Sequence, residues 1–183
     1  MRYYAIQLYT GQEDDFSRRF LPRAPGRRLY VPKRALDIRR RGKIKRVTCP
    51  VFPGYAFVES EDILKDLDLY WAIRRTPGFI RFLGDNPSPI ALSDKDLHLL
   101  QHFMSFGEIA DTSKVTFDEN QRIVVLEGPL KGLEGLIEKV DKRKGRAKVR
   151  LDMCNSGFLI DMGFKIIEGV SNGGGDGHAG GGA

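Results

Sequence analysis

The sequence predicts an α+β protein in two parts. The first is an N-terminal α/β sandwich, a mainly antiparallel sheet with flanking helices; the second is a small C-terminal SH3-like β-barrel. Three observations carry this expectation. Over the first hundred residues, alternating strand-length stretches interchange with three segments of helical apolar period. From Gln121 onward only short strand-like stretches remain, divided by Gly128, Gly132, Gly135 and Gly145 at corners. The 183 residues suffice for one medium domain or two small ones.

Tyr3 to Tyr9 alternates as a strand and Thr10-Gly11 breaks it. Gln12 to Leu21 has the spacing of an amphipathic helix that buries Phe16, Phe20 and Leu21. Glu13, Asp14 and Asp15 sit in its first turn, where the helix dipole favours acids. Pro22 and Pro25-Gly26 end it, and Leu29 to Pro32 is a short strand. Ala35 to Val47 reads as a hairpin with Arg41-Gly42 near its tip and Ile38, Ile44 and Val47 as its apolar positions. Pro50 to Val58 is a turn feeding a buried strand.

Glu61 to Arg75 is expected as a second helix, from the spacing of Ile63, Leu64, Leu67, Tyr70, Trp71 and Ile73, with Pro77-Gly78 as its stop. Phe79 to Leu83 is a strand. Ser93 caps a third helix with Asp96 at its N3 position, and its inner stripe is Leu97, Leu100, Phe103 and Met104. Gly107 to Asp118 lacks periodicity and reads as a linker. The barrel strands are then Arg122–Leu126, Leu136–Asp141, Ala147–Leu151, Gly157–Asp161 and Phe164–Ile167. The expected division is a domain over 1–106, a linker over 107–118, a barrel domain over 119–170 and a disordered tail over 171–183, where seven glycines leave almost nothing to bury.

Several function classes find no support. Apolar runs fall far short of the roughly 20 residues that cross a bilayer, and Met1 to Leu8 alternates instead of forming a leader. The expectation is a cytoplasmic monomer with no membrane partner. Cys49 and Cys154 are too few and too far apart for a disulfide framework or a zinc site, so both read as ordinary thiols. His98 and His102 share a helix face at a spacing that can present two metal ligands, but nothing nearby completes a set. No phosphate-cradling glycine loop or nucleophile elbow occurs. No catalytic residue, metal or cofactor is therefore expected, and the chain reads as a non-enzyme.

The charge is uneven. Arg18 to Arg46 holds thirteen basic residues and the single acid Asp37, so this stretch carries +12 in a chain of net charge +6. Such a field suits a polyanion or an acidic protein surface, and equally a solvated face. The hairpin tip within it projects Arg39, Arg40, Arg41, Lys43, Lys45 and Arg46. A second basic tip, Lys142-Arg143-Lys144-Gly145-Arg146, is followed by Lys148 and Arg150, and it can meet phosphates or merely solubilise the barrel. Aromatics gather around Pro53-Gly54: Phe52, Tyr55 and Phe57. Phe52 and Phe57 would not share a strand face, so one of them is expected in a surface groove, which Tyr3, Tyr70 and Trp71 would line if the second helix packs over the first strand. The alternative is that all are core aromatics.

Five blocks occur in order: Tyr3-Tyr4-Ala5-Ile6-Gln7 with Gly11; Val51-Phe52-Pro53-Gly54-Tyr55-Ala56-Phe57-Val58; Arg74-Arg75-Thr76-Pro77-Gly78-Phe79 with Phe82-Leu83-Gly84; Pro89-Ile90-Ala91-Leu92-Ser93; and Glu127-Gly128-Pro129-Leu130-Lys131-Gly132. Together, over residues 2–168, they resemble the NusG family of transcription elongation factors, with an N-terminal NGN and a C-terminal KOW domain. The resemblance implies docking of the NGN domain on the β′ clamp helices of bacterial RNA polymerase, a bridge across the DNA cleft towards the β subunit, and suppression of pausing and termination. It implies that Tyr3, Phe52, Tyr55, Tyr70, Trp71 and Arg74 seat the clamp-helix tip. Nucleic acid, as a nascent RNA hairpin or DNA near the cleft, would meet Arg39, Arg40, Arg41, Lys43, Lys142, Arg143, Lys144, Arg146 and Lys148. Housekeeping members carry a Phe-Gly-Arg-x-Thr-Pro loop where this chain has Cys154-Asn155-Ser156-Gly157-Phe158-Leu159. That departure puts contacts with ribosomal protein S10 or Rho in question, and makes the chain look more like specialised LoaP-type antiterminators. A housekeeping role, or a KOW-type RNA- or ribosome-binding role without polymerase, are the alternatives.

Overall fold

In a computed structural model the described residues are 1–167; the tail over 171–183 and the end of the barrel domain over 168–170 lie outside them. In chain order the elements are β1 (Arg2–Leu8), α1 (Glu13–Phe20), β2 (Leu29–Tyr30), β3 (Lys33–Arg40), β4 (Lys43–Pro50), β5 (Tyr55–Ser60), α2 (Leu67–Arg74), β6 (Phe79–Phe82) and α3 (Asp94–Met104). There follow β7 (Ile109–Ala110), β8 (Ser113–Phe117), β9 (Ile123–Glu127), β10 (Ile137–Asp141), β11 (Arg146–Met153) and β12 (Ser156–Ile166).

β1 lies between β5 and β6, antiparallel to both, in a four-stranded sheet of order β2-β5-β1-β6. Strand alternation divides its side chains between two cores. Tyr4, Ile6 and Leu8 pack with Phe16 and Phe20 of α1 and Leu69 and Ile73 of α2. Ala5 and Phe57 face the other way, towards Leu100 and Phe103 of α3. That second core is continuous with the barrel interior, where Val125, Val149, Leu151, Ile160 and Met162 are buried. One hydrophobic cluster therefore spans both domains.

The C-terminal domain is a five-stranded sheet, β10-β11-β12-β8-β9, closing around that interior, and the chain is α+β as expected. Its composition differs from the expectation in two ways. Gly107 to Asp118, expected as linker, forms β7, which pairs with β3, and β8, which pairs with β12. Backbone pairing with distant strands orders a stretch that lacks apolar periodicity. The two last expected strands are one, β12, because Gly163 marks close approach and not a turn: a Cβ there would lie 2.8 Å from Thr112 Cγ2 and 3.3 Å from the Ala35 carbonyl oxygen.

α2 is shorter than the expected Glu61–Arg75. The Asp62 carboxylate accepts from the Leu64 amide at 3.1 Å and Asp66 caps the helix by accepting from Leu69. Such local side-chain bonds hold a turn where helix was expected. α3 follows its sequence: Ser93 accepts from the Asp96 amide at 3.2 Å, and Leu100 and Phe103 are buried. The hairpin β3–β4 turns at Arg41 and Gly42, both at positive φ, the geometry that matches strand twist in a two-residue loop. Among the described residues no helix is long and apolar enough to cross a membrane.

Candidate functional site

The turn before β5 sets the position of the aromatics. Gly54 has φ +80, and a Cβ there would stand 2.9 Å from Thr10 Oγ1. Its amide donates to the buried Glu13 carboxylate at 2.7 Å, and its carbonyl accepts from the Leu8 amide at 2.7 Å. Phe52, held in this turn and not on the strand, escapes strand parity. It is 1% exposed and meets the Phe57 and Phe103 rings edge-on at 5.7 and 5.8 Å. The expected opposition of Phe52 and Phe57 is thereby corrected: both enter one core.

The third neighbour of Phe52 comes from the barrel. Phe158 of β12 lies edge-on to Phe52 at 5.9 Å and to Tyr55 at 5.7 Å. The Tyr55 and Ser156 hydroxyls are 3.2 Å apart. Tyr3, 5.7 Å from Tyr30, borders the same cluster, and its phenol is pushed up first by burial and next by Glu59. Four polar contacts tie the domains around these rings. Arg34 Nε donates to the Asp161 carbonyl at 2.7 Å, and burial pushes this guanidinium down. The Cys154 amide donates to Asp96 Oδ1 at 3.2 Å. His102 Nε2 lies 2.8 Å from the Pro129 carbonyl, which can only accept, so that nitrogen carries the proton. Arg146 Nη2 donates to the Asp37 carbonyl at 3.0 Å.

Tyr70, Trp71 and Arg74 are elsewhere. α2 does pack over β1, but on the face of Tyr4, Ile6 and Leu8, opposite to Tyr3 and Ala5. Tyr70 stacks on Phe82 at 5.4 Å and accepts from Arg74 Nη1 at 2.8 Å. The Arg74 and Arg75 guanidinium groups lie 5.2 and 5.3 Å from the centre of the half-exposed Trp71 ring. The six aromatic and basic residues therefore form two surfaces, one under the barrel and one across the sheet from it.

Arg39, Arg40, Arg41 and Lys43 stand exposed at the β3–β4 tip. Among the described residues neither they nor Arg143 lie within ion-pairing distance of a carboxylate. Lys142 sits 3.8 Å from the centre of the Phe117 ring, Lys144 pairs with Asp141 at 3.6 Å, and Lys148 with Asp161 at 3.0 Å. His98 Nδ1 lies 2.6 Å from the Asp94 carbonyl. No group of three or more metal-ligating side chains occurs among the described residues. Arg34, Ser156 and Asp161 were not legible as interface residues. Arg34 is one cation in a run, and its partner lies 127 positions away.

Comparison with known proteins places this geometry among relatives. The family profile described as "Transcription termination factor nusG" matches residues 1–101. The "Transcription termination/antitermination protein NusG" of Helicobacter pylori is 24% identical over 177 residues, covering 92% of this chain and 98% of the relative. The proteins of the same name from Halalkalibacterium halodurans and Bacillus subtilis are 27% and 25% identical, each covering 91% of this chain and 97% of the relative. A solved structure described as "Domain interaction in Thermotoga maritima NusG" superposes with a TM-score of 0.53 at 16% identity, covering 88% of this chain and 93% of that one. The last is a likeness of fold.

Proposed function

The chain belongs to the NusG family of transcription termination and antitermination factors, and from that premise we propose that it docks on bacterial RNA polymerase through the face of Tyr3, Phe52 and Tyr55. The observation that carries this reading is that Phe52 and Tyr55 are covered by the chain's own barrel, through Phe158 and Ser156. An apolar surface closed by a second domain is one that a second ligand can take once that domain moves. The β′ clamp-helix tip is the ligand that the family resemblance supplies.

Docked there, the domain bridges the DNA cleft and resists clamp opening, which disfavours pausing and termination. A tenfold change in pause lifetime requires only about 1.4 kcal/mol of differential binding between clamp states. The departure at Cys154-Asn155-Ser156-Gly157-Phe158 supports a specialised antiterminator over a factor coupled to S10 or Rho, because this segment is turned inward against Tyr55 and Asp96. The barrel tip around Arg143 would reach the phosphates of the nascent RNA.

The experiment is binding of the purified chain to bacterial core RNA polymerase with and without the β′ clamp-helix tip. Binding that depends on the tip is expected. Equal binding to both polymerases would overturn the docking face. No binding to either, alongside intact RNA affinity, would leave an RNA- or ribosome-binding protein without a polymerase role.

A further inference from the structure

The β3–β4 and β10–β11 hairpins belong to different domains, yet their tips share one cleft of about 490 Å³. Asp37, Arg39 and Ile44 line it from the first hairpin, and Arg143, Lys144 and Arg146 from around the second. Arg146 crosses between them: Nη2 donates to the Asp37 carbonyl, 109 positions away, and Nη1 lies 3.8 Å from the Asp161 carboxylate. Its Nε is buried without a hydrogen-bond partner among the described residues. Four cations and one acid leave the cleft an excess of positive charge, held there by packing elsewhere, at Phe158 and Arg34. An anion that enters relieves the excess that the Asp141 and Asp161 pairings leave.

We propose that this cleft is a composite site for the sugar–phosphate backbone of an RNA stem, complete only while the two domains are closed on each other. The proposal rests on the RNA contact proposed above and adds a second wall to it from the N-terminal domain. A cleft accepts a ridge, and the ridge of a double helix is its backbone strand. Among the described residues no aromatic side chain lines the cleft, so they offer nothing on which to stack an unpaired base, which is what single-strand recognition uses. Reciprocity follows. An RNA that needs both walls favours the closed chain, and a polymerase that needs Phe52 and Tyr55 uncovered favours the open one, so each weakens the other's binding by the same factor.

The test is binding of a short RNA stem-loop to the full chain, with a DNA stem-loop and a single-stranded RNA of the same sequence as parallel arms. Phe158→Lys opens the domain contact and adds a positive charge far from the cleft. Simple electrostatics would then raise RNA affinity, whereas loss of one wall lowers it. The expected result is a loss of about tenfold and a salt dependence shallower by roughly one counterion, the share of Arg39 on the lost wall. Phe158→Ala, which adds no charge, should move affinity in the same direction, and circular dichroism of both variants separates opening from unfolding. Saturating RNA should also slow amide exchange across β12 in the unaltered chain. Unchanged or tighter RNA binding by both opened, folded variants would overturn the composite site while leaving RNA contact by the barrel intact. Equal behaviour of the DNA stem-loop would overturn the assignment to RNA, and absence of any RNA binding by the unaltered chain would overturn the RNA reading itself.

Discussion

At the scale of single residues, the domain contact leaves a chemical mark on Cys154. This residue is buried at the β11–β12 turn, where it and Asn155 both take positive φ. Burial first, and the Asp96 carboxylate second, push its thiol from 9.0 up to about 12. A folded chain that holds this proton more tightly than an unfolded one gains from it below pH 9.0, and loses that gain as pH rises towards 12. The same shift suppresses the thiolate, which is the reactive form. Timed maleimide labelling at pH 8, read by mass spectrometry, should therefore modify Cys154 at least about tenfold more slowly in the folded chain than in denaturant. Equal rates in the two states would contradict the burial. Glu13 shows the same dependence of a side chain on its surroundings. Its place in the first turn of α1 suits the dipole, but its buried carboxylate also accepts the Gly54 amide and so fixes the turn that carries Phe52.

At the scale of elements, the N-terminus of α3 does two tasks with one carboxylate. Asp96 Oδ2 accepts from the Ser93 hydroxyl at 2.9 Å and Oδ1 from the Cys154 amide at 3.2 Å, so helix capping and domain docking share a side chain. Ser93→Ala should cost about 1 kcal/mol by removing the cap and its bond to Asp96 Oδ2 while leaving Oδ1 on the Cys154 amide. Asp96→Ala should cost roughly 1–2 kcal/mol and, unlike Ser93→Ala, speed exchange of the Cys154 amide. Thermal unfolding and amide exchange measure the two effects, and equal Cys154 exchange in both variants would show that the carboxylate does not hold the barrel. The cap itself was legible in sequence, as were α1, the β3–β4 hairpin and most strands, because caps, turn glycines and apolar period are local. The halves that failed are non-local. β7 and β8 are ordered by partners in β3 and β12, and a break was expected between Asp161 and Phe164 because nothing near Gly163 in sequence reveals Thr112 and the Ala35 carbonyl. The aromatic site was half legible for the same reason: Tyr3, Phe52 and Tyr55 converge, while Tyr70 and Trp71 lie behind the sheet, and the barrel residues that cover Phe52 and Tyr55 carry no periodic signal.

At the scale of the molecule, the two surfaces proposed here pull on one equilibrium between closed and open domains. Phe158 makes edge contacts with Phe52 and Tyr55, each worth roughly 0.5–1.5 kcal/mol beyond area burial. Closure therefore draws about 1–3 kcal/mol from this one ring. A ligand that binds only the open chain has its apparent affinity reduced by the fraction open. Phe158→Ala should then bind the β′ clamp-helix tip roughly 5- to 150-fold more tightly than the unaltered chain. The gain should persist at high salt, since the lost contacts are apolar, in contrast to the cationic cleft, whose RNA affinity falls steeply with salt. Titration of clamp-helix tip into the two chains at low and high salt reads both properties together. A variant that binds the tip no more tightly, while remaining folded, would mean that Phe52 and Tyr55 are not what the barrel hides. A gain that vanishes in salt would move the lock from the aromatic rings to the hydrogen bonds that the Arg34 and Arg146 guanidinium groups donate to the Asp161 and Asp37 carbonyls.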